Sequence, residues 1–275
     1  MRWVFILLGV GLVAWGCRER MERALIYFPS RELDGSPAAL GLPYREVWFQ
    51  AEDGVRLHGW LVPGRRPLTL LWFHGNGGNM SHRLDNIEAI HRYLGIGVFI
   101  FDYRGYGRSE GQPTEEGLYR DARAAREALI REGVDANQIV YFGRSLGAAV
   151  AIELDLVAPP VALILESPLL SVPAMANRTL PGSGVLFKTR FDSRTKISRV
   201  HSPVFILHGD SDEIVPYEHG RRLFDAAPKP KAFYTIRGSR HNDTYLVGGV
   251  AYWIAWARFL DPYLDSPISS GVPPD

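Results

Sequence analysis

"VYFGRSLGAA", residues 140–149, runs from an apolar stretch through Gly143-Arg144-Ser145-Leu146-Gly147 into a series of small side chains. Residues 139–142 read as a buried strand, and residues 146–152 as a helix. A strand that passes into a helix through Gly-x-Ser-x-Gly makes a sharp turn that lifts the serine hydroxyl clear of the sheet. Ser145 meets both conditions and is the candidate nucleophile; at the start of a helix a serine also serves as an ordinary N-cap. The pattern recurs in "YGRSEGQP", residues 106–113, but Gly111-Gln112-Pro113 follows and no helix can start at Ser109. Ser109 therefore belongs to a loop.

Outward from residue 145 the same grammar repeats. "TLLWFHG", "GVFIFD" and "QIVYFG" are each followed by a turn and a helical pattern, and further strands stand at "VALILES", "VFILHGD" and "KAFYTI". These are continuous apolar runs rather than alternations, as a parallel sheet covered on both faces requires. "REVWFQ" and "VRLHGWLV", joined by "AEDG", predict an antiparallel hairpin ahead of them. The fold class is thus α/β: a doubly wound, mostly parallel sheet with an antiparallel start. Helices are expected at about 217–227 and 245–261. From 168 to 200 the alternation stops, and 33 residues without a strand mark a small lid. Six basic residues against Asp192 give this segment a charge of about +5. It reads either as a gate that admits an acyl chain and rests on anionic lipid, or as a plain cover with solvated charges.

A serine needs a hydrogen-bonded base and an acid to orient it. With the nucleophile on an elbow of this kind, acid and histidine follow on later loops at the same sheet end. Asp212 follows "VFILHGD" and His241 follows "KAFYTI", which makes them the candidate acid and base. Asp210 is better placed to brace its own turn, and Glu166 remains the fallback acid. His208 reads as a core histidine and His219 as an exposed surface residue. The oxyanion would be received by the backbone N–H of Leu146 and that of Asn76 in "HGNGGN", with Gly77 competing for the second place. "HGNGGN" and "GYGRSEG" both break the spacing of nucleotide-binding loops, which disfavours an oxidoreductase.

The 275 residues carry a formal net charge of +1, which excludes a general polyanion or nucleic-acid binder. A single cysteine, Cys17, rules out intrachain disulfides and a cysteine metal site. Residues 1–28 read as a signal or membrane anchor: Trp3–Gly16 is apolar but shorter than the ~20 residues of a spanning helix. The expected location is membrane-anchored or exported, with a retained anchor, a cleaved signal and a lipoprotein ending at Cys17 as alternatives. Residues 29–264 would be the catalytic domain, and 265–275 a frayed polar tail.

"LIYFPSR", "HGNGGN", "FDYRGYGRSEG", "GRSLG", "ESP", "HGDSDEIVP" and "RHND", in order over about residues 25–260, resemble the α/β-hydrolase superfamily. More narrowly, they are similar to the membrane-anchored serine hydrolases grouped with Bem46 and the alpha/beta-hydrolase-domain 12, 13 and 17 proteins. The resemblance implies about eight strands, a Ser145-Asp212-His241 triad, and cleavage of ester, thioester or sometimes amide bonds. It implies a structural role for the loop of Ser109. An isolated Cys17 is not the cysteine cluster that is palmitoylated in depalmitoylating relatives, so that activity does not carry over. The expectation is a monomeric, cofactor-free and metal-free serine hydrolase acting on small acyl substrates, with a non-catalytic scaffold as the contrasting alternative.

Overall fold

A computed structural model describes residues 18–264 of the chain. Its main sheet has eight strands: β1 (Arg45–Gln50), β2 (Arg56–Val62), β3 (Thr69–Phe73), β4 (Gly97–Asp102), β5 (Ile139–Arg144), β6 (Ala162–Glu166), β7 (Val204–Gly209) and β8 (Lys231–Ile236). In space they run β1-β2-β4-β3-β5-β6-β7-β8. β3 to β8 are mutually parallel, while β1 and β2 form the antiparallel start.

The apolar runs follow from burial on both faces. Successive side chains of a strand point to opposite sides. Leu71 and Phe73 enter one core with Phe99, Phe101 and Tyr141; Leu70 and Trp72 enter the other with Val98, Ile100 and Phe142. The first core is covered by α2 (Glu115–Arg131) and α3 (Leu146–Asp155), through residues such as Leu118, Ala125 and Val150. The second is covered by α1 (Leu84–Tyr93) and α6 (Thr244–Leu264), through Ile87, Ile90, Trp253 and Trp256. β8 lies at the edge, where only Ile236 is fully buried.

The chain proceeds from β3 to β4 on one side, then returns to place β5 on the other side of β3. At such a reversal the loops after the two strands separate and leave a crevice at their carboxyl ends. Here those loops are "HGNGG" and the Ser145 turn.

The segment between β6 and β7 contains α4 (Val172–Thr179) and short turns at Ser183–Leu186 and Ser193–Lys196. Ser171 caps α4 by accepting from Ala174 N–H at 3.1 Å. α5 (Tyr217–Ala226) follows β7.

Residues 18–26 are helical and, with Phe28 and Pro29, form a strap across the sheet end. Glu22 accepts from the backbone N–H of Lys188 (2.9 Å) and of Thr189 (3.1 Å), joining the strap to the lid. Phe28 and Pro29 pair with Gly77 and Gly78 in a short parallel bridge. Residues 18–28, grouped with the leader in the sequence, thus bond directly to the α/β body. Trp3–Gly16, Cys17 and the tail 265–275 lie outside the described residues. Among the described residues no helix is long and apolar enough to cross a membrane.

A Cβ added at Gly147 would lie 2.0 Å from the carbonyl oxygen of Phe73, and one at Gly143 would lie 2.6 Å from Cα of Ala148. The elbow glycines therefore let α3 start directly against β3 and β5. Gly147→Ala should cost about 3 kcal/mol or more, because backbone rather than a flexible side chain must give way. A denaturant midpoint unchanged by this substitution would contradict the packing described.

Candidate active site

Ser145 has φ 54° and ψ −117°, a backbone conformation rare for a residue with a side chain. Its N–H donates to the Glu166 carbonyl at 2.9 Å, which locks the turn onto the end of β6. The side chain makes no N-cap bond to α3. The N–H of Leu146, at the first position of that helix, has no preceding turn to bond.

"HGNGG" passes over this turn. A Cβ at Gly75 would lie 3.6 Å from Ser145 Cβ, in ordinary contact. The Asn76 amide donates to the Ile26 carbonyl, and its oxygen accepts from Tyr106 Oη at 2.9 Å. Strap and Tyr106 together thus fix the residue expected to supply the second N–H donor. Gly77, the competing residue, is engaged in the bridge to Phe28.

Asp212 and His241 meet. His241 Nδ1 donates to Asp212 Oδ2 at 2.8 Å, and Oδ1 accepts from the N–H groups of Ile214 (3.0 Å) and Val215 (2.8 Å). Burial alone would raise the Asp212 pKa. Hydrogen bonds from His208, His241 and Val215 outweigh it and hold the carboxyl well below the usual carboxylate range. Asp212 is therefore ionised at neutral pH and accepts the His241 Nδ1–H as a carboxylate. Both residues are buried, and the His241 N–H also donates to Glu213 Oε2 at 3.1 Å.

Other candidates separate clearly. Asp210 is spent on the Gly238 N–H at 2.7 Å, which joins the acid loop to the histidine loop. Glu166 is turned toward Arg144, Thr244 and Tyr252 rather than His241. Ser109 Oγ donates to the Asp102 carbonyl at 2.6 Å and accepts from His58 N–H at 3.0 Å, a fully bonded loop position. His208 is completely buried and donates from Nε2 to the Val215 carbonyl at 3.0 Å. The same nitrogen is 3.3 Å from Asp212 Oδ2, so a second histidine borders the acid. A strand-end histidine four residues before the acid was the only sequence trace of this arrangement.

His219 is not a surface residue. It lies on the inner side of α5, 8% exposed, and its Nδ1 accepts the Leu170 N–H at 3.3 Å. Helical spacing alone did not show that the lid would cover it. Arg144, unassigned in the sequence, reaches both Glu166 and the histidine loop. Among the described residues, no group of three or more His, Cys, Asp or Glu is placed to hold a metal ion.

This fold and this sheet end are those of a large class of enzymes. Residues 70–269 match the alpha/beta hydrolase family, to which the chain belongs. It is 37% identical over 271 residues to alpha/beta hydrolase domain-containing protein WAV2 of Arabidopsis thaliana, covering 88% of each chain. It is 36% identical over 276 residues to protein bem46 of Schizosaccharomyces pombe, covering 92% of this chain and 90% of the relative. Among solved structures, the esterase Pf2001 of Pyrococcus furiosus superposes with a TM-score of 0.73 at 21% identity, covering 86% of this chain and 99% of that one. The last similarity is one of fold.

Burial lowers the His219 pKa from 6.5 to about 4, aided by His208, Arg222 and Arg178. Between these values the unfolded chain binds a proton that the folded chain refuses. The corresponding stability is present above pH 6.5 and is lost as pH falls through about 4, to the extent of ~3 kcal/mol. His219→Asn, which keeps an acceptor for Leu170, should flatten denaturation midpoints across that range. A wild-type slope in the variant would contradict the assignment.

Proposed function

We propose that the protein is a serine hydrolase cleaving carboxylic ester or thioester bonds through an acyl-enzyme. The observation that carries this reading is the conjunction of a strained Ser145 with the His241–Asp212 pair, whose loop is bonded by the residue next to that serine. Ser145 Oγ attacks the acyl carbonyl carbon while His241 Nε2 takes its proton. The oxyanion is received by the N–H groups of Asn76 and Leu146. Collapse expels an alcohol or thiol, which takes the proton from His241, and water then hydrolyses the acyl-serine by the same route. Asp212 stays ionised throughout and holds the imidazole in the required tautomer. A nucleophile at the carboxyl end of β5 lies at the topological reversal, where this class of sheet opens a crevice.

The same reading extends to where substrate enters. Met21, Leu25 and Phe28 on the strap and Val185 and Leu186 on the lid are each more than half exposed. Strap and lid are joined there by the bond from Arg18 Nη2 to the Leu186 carbonyl, at 2.9 Å. The exposed strap residues follow Trp3–Gly16 in the chain, and exposed Arg178, Arg190 and Arg194 belong to the same lid as Val185 and Leu186. Association with an anionic lipid surface through residues 1–28, with acyl chains entering past the lid, fits this distribution.

Ser145→Ala should abolish labelling by a fluorophosphonate and lower turnover of short p-nitrophenyl esters by about 10⁴-fold or more. Labelling retained at another residue, or none in the wild type, would refute the reading. Met21→Glu/Leu25→Glu in the full chain should reduce hydrolysis of long-chain esters embedded in anionic vesicles by about tenfold, while leaving soluble short-chain esters unaffected. Equal rates of wild type and variant on vesicles would remove the lipid-facing part of the proposal.

A further inference from the structure

We infer that Arg144 is a positioning residue that sets the distance between nucleophile and base, acting as a clamp from the elbow to the histidine loop. The inference rests on the serine-hydrolase reading above. Arg144 is the first x of Gly-x-Ser-x-Gly, and its backbone is continuous with Ser145. Its side chain is almost fully buried. One guanidinium nitrogen, Nη2, donates to the backbone carbonyl of His241 and lies 3.3 Å from Asn242 Oδ1. Nε forms an ion pair with Glu166 Oε1 at 2.9 Å.

Glu166 is itself held on several sides. It pairs with Arg144 across β5 and β6, and its carbonyl accepts the Ser145 N–H. Its carboxylate accepts from Thr244 Oγ1 at 2.9 Å and from Tyr252 Oη, both on α6, the helix that follows the histidine loop. One buried carboxylate therefore ties the serine turn to the helix that begins three residues after His241. Arg144 closes the remaining gap by gripping His241 itself.

Asp212 orients the imidazole from its Nδ1 side, and the bonds of Glu213, Asp210 and Ser211 tie the histidine loop to the acid loop, but those bonds do not reach the serine turn. The bond to the His241 carbonyl from the residue next to the nucleophile ties the histidine loop to the serine turn itself. The guanidinium bonds the His241 carbonyl through Nη2 while its Nε side faces the Glu166 carboxylate as an ion pair, a placement set by its rigid planar shape. Lysine would retain the charge opposite Glu166 and lose that shape. Displacements of about 1 Å between reacting groups cost on the order of 10²-fold in rate, so the clamp acts on kcat rather than on substrate binding.

A buried ion pair of purely structural use is replaceable by a neutral pair, whereas removing one partner destabilises by leaving the other charge buried. The test therefore compares Arg144→Lys and the double variant Arg144→Met/Glu166→Gln with the wild type, using a soluble p-nitrophenyl ester and thermal unfolding. The expected result is kcat lowered about 10-fold in the lysine variant and about 100-fold in the double variant, with KM within about threefold and midpoints within a few degrees. Either folded variant retaining kcat within about threefold overturns the inference, as does a loss of kcat that only follows a fall in midpoint. If the double variant does not fold, the lysine variant decides. Wild type that reacts with a fluorophosphonate at Ser145 shows that the underlying reading stands, so failure of the clamp remains distinguishable from failure of the serine chemistry.

Discussion

The backbone of Ser145 is the constraint around which the rest is arranged. At φ 54° and ψ −117° the residue stores strain of the order of 1–3 kcal/mol, which persists only where neighbours over-determine it. They do so here from three directions. Gly143 and Gly147 leave no room for side chains between β5, β3 and the start of α3. The Glu166 carbonyl takes the serine N–H. Loop 75–76 closes over the turn and is held by Ile26 and Tyr106.

From that turn the architecture reads as a set of ties gathered at one end of a parallel sheet. β7 delivers Asp212, and the loop after β8 delivers His241. Asp210 and the Ser211 N–H bond the two loops to one another through Gly238 and the Ser239 carbonyl. The strap at residues 18–29 binds both the lid and the loop over the serine, so the chain nearest the amino-terminal apolar run is also part of the frame around the site. An electrostatic logic accompanies the ties: Asp212 is kept ionised by the two histidines beside it, while His219 is kept neutral by burial under the lid.

Much of this was legible because burial on both sides of a sheet leaves a strong trace. "TLLWF" and "VFILHG" are apolar at every position since alternate residues feed two separate cores, and the strands lie where those runs stand. The Ser145 turn was legible from its glycines, and the loops of Asp212 and His241 from their place after late strands. Three features were not. Arg144 resembles any polar residue in a motif, and its partners Glu166 and His241 are 22 and 97 residues away in the chain. His208 reads as core, but its approach to Asp212 depends on how the turn after β7 folds back. His219 reads as a surface residue in the sequence, because nothing in α5 announces that a distant lid will cover it. Tertiary contacts between loops leave no periodicity to read.

In the proposed chemistry one hydroxyl, two backbone N–H groups and one imidazole converge on a single acyl carbon. A crystal structure of the enzyme reacted with an alkyl phosphonate, which mimics the tetrahedral intermediate, tests this most directly. Phosphorus should be bonded to Oγ of Ser145 and its oxygen should lie ~2.7–3.1 Å from the N–H groups of Asn76 and Leu146, with His241 Nε2 facing the serine oxygen. An adduct on another side chain, or a phosphoryl oxygen turned away from both N–H groups, would contradict it.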